Sequence, residues 1–192
     1  MDAKLSAKSL NLSCPYAMQE ELDAVRKVSF GLRENHSVVM IGCGPAVFAL
    51  SILEDRKHGP DMWIIDINKD MFDYASAHLE AANIDPLLRD GVVFVHGDSS
   101  QIGLTWTEPV NFLIVDGDHS YEGVKADLKA WLPHVPRKSM IFLHDFLERP
   151  GGFDGIAAWS EGGCARAVGE SIAAGEMMPV RVVGIGILCE RL

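Results

Sequence analysis

Val38-Val39-Met40-Ile41-Gly42-Cys43-Gly44-Pro45-Ala46 joins a short apolar run to two glycines and a proline. The run at 38–41 is apolar throughout and rich in β-branched residues, the pattern of a buried strand. Gly42 and Gly44 allow a tight turn and let a ligand approach the backbone where no Cβ intervenes. Proline is favoured at the first helical position, so Pro45 predicts a helix over 45–57 that ends before Gly59-Pro60. A plain strand-to-helix turn with incidental glycines is the alternative, since a lone glycine motif is a weak signal. Between a strand and the unpaired N–H groups of a helix start, the loop 42–46 reads as the seat of a small adenosine-type cofactor. That seat belongs at the carboxyl edge of a parallel sheet.

Outward from this loop, further apolar runs stand at 62–67, 92–95, 112–115 and 140–143, with segments of helical periodicity between them. Residues 69–82 follow Asn68, a good N-cap, and place Met71, Ala75 and Leu79 on one face. Residues 120–132 place Val124, Leu128 and Trp131 on one face and stop at Pro133. Such alternation builds a parallel sheet whose right-handed helical crossovers cover both faces. The tail differs. Runs at 180–183 and 185–189 lie almost back to back and predict an antiparallel hairpin at the sheet edge. At the other end, Met18, Leu22, Val25 and Phe30 recur at roughly helical spacing. Residues 14–35 therefore read as an N-terminal helical segment covering the sheet or roofing the site, with 1–13 frayed ahead of it. The expectation is one α/β domain over 1–192.

A hydrophobic share of 48% against 23% charged residues suits a globular core and excludes a disordered chain. The formal net charge of -10 repels phosphate backbones and no basic patch offsets it, so nucleic acid is not an expected partner. The longest apolar stretch, 38–53, is interrupted by Gly42, Gly44 and Pro45, which argues against a membrane span; the polar N-terminus is unlike a signal peptide. Cys14, Cys43, Cys164 and Cys189 show neither pairing nor metal-type spacing. They read as reduced thiols in a cytoplasmic protein.

Asp66 closes the second strand, where a carboxylate can accept both hydroxyls of a ribose lying across the sheet edge. Asp98, in Gly97-Asp98-Ser99-Ser100, ends the third strand as either an Asx turn or the acceptor for an adenine amino group. A nicotinamide dinucleotide would use the same edge. Its fingerprint needs glycine or alanine at the sixth position, where this chain has Val47, so a mononucleoside ligand is favoured.

The most informative stretch is Val115-Asp116-Gly117-Asp118-His119-Ser120-Tyr121, followed later by Leu143-His144-Asp145. Together they resemble the class I S-adenosylmethionine-dependent methyltransferases, specifically a subgroup with a strand-end Asp-Gly-Asp-His-Ser-Tyr motif and a later His-Asp pair. The resemblance covers about 38–146 and implies a Rossmann-like three-layer sandwich: a mostly parallel seven-stranded sheet with an antiparallel C-terminal strand. It implies a cofactor set of Gly42, Cys43, Gly44, Asp66, Ile67, Asp98, Ser99 and Asp116. The glycines would face the methionine part of the cofactor, Asp66 the ribose, and Asp98 with Ser99 the adenine. Two positions depart from the family: Met40 stands where an acid is usual, and Ala46 where a third glycine is usual. Some relatives are metal-dependent O-methyltransferases with oxygen ligands at the ends of the fourth and fifth strands. Here Asp116, His144 and Asp145 hold those positions; they either bind a divalent metal, Mg²⁺ or Mn²⁺, or form strand-end turns and caps.

The expected activity is therefore methyl transfer from S-adenosylmethionine to a small hydroxylated acceptor. His119 is the general base, and Asp116 with Asp145 orients the acceptor or a metal. His119 has a plainer alternative as a helix-starting histidine held by Asp118 or Asp116. Tyr16 and Trp159 are candidates for the acceptor pocket, and a homodimer that completes this pocket stays open. Two other classes compete. One is a non-catalytic cofactor-binding or interaction module of the same fold, favoured by Met40 and Ala46; the other is a nicotinamide-dependent oxidoreductase.

Overall fold

The computed structural model describes residues 17–54, 59–147 and 162–192. The expectations for residues 1–13, for Tyr16 and Trp159, and for a helix reaching residue 57 lie outside the described residues.

Strand β1 (Ser37–Ile41) is buried at all five positions. Val38 and Met40 join one apolar cluster, Val39 and Ile41 the other, so the period of two serves both faces of the sheet. Strands β2 (Asp61–Asp66), β3 (Val92–His96), β4 (Phe112–Val115) and β5 (Met140–Leu143) extend the parallel sheet around it. The full order is β3-β2-β1-β4-β5-β7-β6, and β7 (Gly186–Arg191) runs antiparallel to both β5 and β6 (Met177–Val183). This is the seven-stranded Rossmann-like sheet with a reversed last strand. Its strand order turns between β1 and β4, the place where open α/β sheets form a crevice.

Helices α1 (Gln19–Ser29), α2 (Val47–Leu53), α3 (Asp70–Ala81) and α4 (Pro86–Asp90) supply one face. On the other face lie α5 (Ser99–Thr105), α6 (Tyr121–Trp131) and α7 (Gly163–Ala173), with Val124, Leu128 and Trp131 buried as their spacing predicts. A 3₁₀ turn, Leu132–His134, carries the chain through Pro133. Among the described residues, no helix is long and apolar enough to cross a membrane.

Several boundaries differ from expectation for identifiable reasons. Helix α1 is shorter than 14–35, because Phe30 beyond its end is 62% exposed and adds nothing to the buried face. Pro45 does not start α2. Ala46 takes the left-handed conformation (φ 57) as its N-cap and the helix begins at Val47, which explains why glycine is at home at that position. Asp98 lies past the end of β3 rather than in it. Strand β6 starts at Met177, earlier than 180–183, and tolerates Pro179 because it is an edge strand with a register shift between Pro179 and Arg181.

Candidate functional site

Loops from the carboxyl ends of β1, β2, β3 and β4 line one cleft of about 520 Å³, and Gly44, Asp66, Asp98 and Asp116 all contribute to it. The volume lies within the ~300–1,000 Å³ typical of small-molecule sites. The two glycines of the first loop differ in purpose. An added Cβ on Gly44 (φ +44) would meet nothing within 4 Å, so this stretch forms an open cradle. An added Cβ on Gly42 (φ +87) would lie 2.0 Å from the carbonyl oxygen of Asp116. Gly42 lines the cleft too, but it is glycine because the ends of β1 and β4 touch there.

Asp66 holds this loop in shape. Its Oδ2 accepts the Cys43 N–H at 2.8 Å and its Oδ1 the Asn68 N–H at 2.7 Å, leaving lone pairs on both oxygens for a ligand. Cys43 contributes main chain only: its thiol is fully buried in the core, where burial and then Asp66 push its pKa up to about 12. Ile67 lines the cleft and is 73% exposed, an apolar surface at the rim. Asp98 is the N-cap of α5, its Oδ1 accepting from Ser100 N (2.9 Å), Gln101 N (3.3 Å) and Ser100 Oγ (2.7 Å). The Asx-type alternative is thus what the chain adopts there. The Ser100 hydroxyl, followed by the backbone bonds, holds the Asp98 carboxyl below its usual range despite some desolvation. Ser99 turns its hydroxyl to Asp127 on α6, at 2.5 Å. Burial lifts the Asp127 pKa to about 6, against the opposing pull of Ser99.

Beside the cleft, at the ends of β4 and β5, four more groups converge. Asp116 Oδ1 lies 2.8 Å from His144 Nδ1, Asp145 Oδ2 lies 3.4 Å from the same nitrogen, and Glu21 Oε2 lies 3.4 Å from His144 Nε2. His119 Nε2 stands 3.3 Å from Asp145 Oδ2. Asp145 adopts a left-handed backbone (φ 50), a conformation that aspartate tolerates better than most residues. Burial opposes charging of His144, yet Asp116, Asp145 and Glu21 together hold its pKa well above the usual histidine range.

Asp116, His144 and Asp145 each present one donor atom, all within 4.8 Å of one another. The approaches to His144 are ion pairs rather than aligned hydrogen bonds, so both buried ring nitrogens lack one. Two carboxylates and an imidazole, with a second-row carboxylate at the far ring nitrogen, fit a divalent cation such as Mn²⁺, Fe²⁺ or Zn²⁺.

Two residues in this site escaped the sequence reading. Glu21 is fully buried; its Oε1 accepts Ile185 N and Gly186 N, both at 3.0 Å, and its Oε2 accepts Met18 N at 2.6 Å. Asp127 is 3% exposed. Both carried a signal. Each is an acid on the apolar face of its helix, Glu21 one turn from Val25 and Asp127 one turn from Val124 and Trp131, where an unpaired carboxylate is rarely buried.

A family model described as a methyltransferase domain matches residues 39–146, more than half of the chain. The chain belongs to the methyltransferase-domain family. The matched region runs from β1 to just beyond β5, so it takes in the cleft and the His144–Asp145 pair but not Glu21. Solved structures of the same fold include an O-methyltransferase from Bacillus cereus in complex with S-adenosylhomocysteine (15% identity, 98% of each chain covered, TM-score 0.63). Others are an S-adenosylhomocysteine-bound methyltransferase from Podospora anserina (14%, 97% of this chain and 84% of that one, TM-score 0.69) and a methyltransferase from Geobacter sulfurreducens (15%, 96% and 86%, TM-score 0.68). At these identities the likeness is one of fold. Among curated sequences, an uncharacterised protein of Sinorhizobium fredii is 40% identical over 52 residues; the match takes in 27% of this chain, which spans 6% of that protein's length.

Proposed function

We propose that this methyltransferase domain transfers a methyl group from S-adenosylmethionine to the hydroxyl of a small molecule. One observation carries the reading: Asp116 belongs both to the cleft and to the acid–histidine group beside it, so a cofactor and an acceptor would meet at that residue. The open cradle at Gly44 and the carboxylate of Asp66 suit the methionine and ribose parts of such a cofactor, and Ile67 offers an apolar face to a base. Neighbours of the same fold bound to S-adenosylhomocysteine support the choice of cofactor.

S-adenosylmethionine, when bound, would supply a sulfonium methyl group to in-line attack by the acceptor oxygen, with S-adenosylhomocysteine leaving as the S–CH₃ bond breaks. His119 takes the proton from the acceptor oxygen, and Asp145, 3.3 Å from its Nε2, orients the ring and steadies the charge it gains. Asp116 aligns the acceptor against the cleft, and such alignment is worth up to ~7–11 kcal/mol of the barrier. A divalent metal held by Asp116, His144 and Asp145 would lower the pKa of the acceptor hydroxyl and fix its position. The buried unpaired thiols of Cys43, Cys164 and Cys189 suit a reducing, cytoplasmic setting.

Calorimetric titration with S-adenosylmethionine, paired with release of S-adenosylhomocysteine across phenolic, sugar and carboxylate acceptors, tests this function. Binding and product release are expected; absence of binding at millimolar cofactor overturns it. A chelator should slow turnover, with Mn²⁺ restoring it, and an unchanged rate dismisses the metal. A specific observation favours a non-catalytic module: Met40, where the family has an acid, is buried in the apolar core and gives the cofactor's amino end no carboxylate. Binding without product release on any acceptor would decide for that module.

A further inference from the structure

Two acids of opposite character close the cleft at the α5 end. Asp98 is exposed, and its Oδ1 caps α5 through Ser100 and Gln101. Asp127 reaches the same end from α6, lines the cleft and is 3% exposed. The hydrogen bond described for it is the one from Ser99 Oγ to its Oδ1. The charged groups acting on Asp127 are the carboxylates of Asp98 and Asp118, with no basic side chain among them. Burying a carboxylate beside two others costs the fold, and among the described residues the structure shows no donor to its second oxygen while the residue lines the cleft. Nor is it needed to tie α5 to α6, since Trp131 Nε1 on α6 already donates to Ser99 O at 3.0 Å. Local rules broken without compensation concentrate at functional sites. A ligand entering the cleft can supply that donor.

We propose that Asp127 reads the nucleobase of the cofactor: a carboxylate oxygen accepts the exocyclic amine of adenine, while Asp98 shapes the loop. This assignment rests on the S-adenosylmethionine reading of the cleft, and it moves base recognition from an exposed acid to a buried one. The consequence is selectivity. An acceptor facing position 6 of a purine welcomes an amino group and rejects an oxo group, which leaves two acceptors opposed.

The test titrates the full chain with S-adenosylhomocysteine and with its 6-oxo counterpart, S-inosylhomocysteine. The unaltered protein should prefer the amino form by about tenfold or more, as sites that hydrogen-bond a substrate group reject analogues lacking it. Asp127→Asn keeps an acceptor for Ser99 Oγ but can offer an N–H to the oxo group, so the preference should collapse or reverse. Asp98→Asn should weaken both ligands in parallel, and Ser99→Ala should retain the preference. Thermal unfolding reports whether each variant is folded. A preference intact in Asp127→Asn, or lost in Ser99→Ala or in Asp98→Asn alone, overturns the assignment. If the unaltered protein binds neither nucleoside, the cofactor reading itself falls and takes this assignment with it.

Discussion

Asp98, on the β3 side of the cleft, bonds backbone two and three positions along the chain; Glu21, on the β5 side, bonds Ile185 and Gly186, 164 and 165 positions away. Asp66 stands between the two: it accepts from Asn68 two positions on and from Cys43 23 positions back, whereas Asp116 meets His144 in the net. One side of the carboxyl edge combines local turns with single ties between elements, such as Asp66 to Cys43 and Ser99 to Asp127. The other is a buried net that gathers α1, β4, β5 and the β6–β7 turn around one histidine. Exposed local bonds exchange with water and are worth little individually, whereas a buried charge stripped of its partner is left with its full desolvation penalty. The β3 side should therefore tolerate change that the β5 side does not.

The sharpest way to break this contrast is Glu21→Ala, which strips the carboxylate from His144 Nε2 and the acceptor from two buried N–H groups. Urea unfolding should show a loss of about 3–5 kcal/mol. A loss of about 1 kcal/mol or less, the size of a surface pair, would show that the net is no tighter than the turns. Next comes His119→Ala, for which turnover should fall about 10²- to 10⁴-fold while cofactor affinity by titration holds. Parallel loss of both would make His119 a structural member of the net.

Asp127→Asn should move stability the other way. The folded pKa of Asp127 is raised from 3.8 to about 6, so the folded state binds its proton more tightly than the unfolded chain does. That stabilisation is present below pH ~4, fades as pH rises through ~6 and is absent above. At pH 7.5 the variant should gain up to about 3 kcal/mol over the unaltered protein, and at pH 3.5 none. A gain independent of pH would reject burial of the charge as its cause. The smallest effect belongs to Asp98→Ala, where loss of one helix cap should reduce stability by about 1 kcal/mol in the same urea assay.

Much of the fold was legible because its signals are local. The continuous apolar run of β1, the apolar face of α6 and the turn at Gly184 (φ 58) each lie within a few residues. Other elements gave little such signal. Helix α5 is seven residues, too short for periodicity and marked only by its Asp98 cap, and α7 starts behind Gly162 (φ 73) with no side-chain cap at all. That Asp66, Asp98 and Asp116 line one cleft was legible because strand ends in a parallel sheet share one edge. Glu21 and Asp127 were not, because an acid on an apolar face reads as a blemish until its partners are known.

Residue pattern alone specified the alternating sheet, the glycine loop and the set of polar groups available at its edge, since strand and helix periodicity act over one or two turns. Which glycine packs and which opens a cradle was decided by contact between β1 and β4. Likewise, the carboxylate at His144 Nε2 arrives only once α1 and the last hairpin have docked. Burial and charge pairing depend on what lies across space, and no spacing along the chain encodes that.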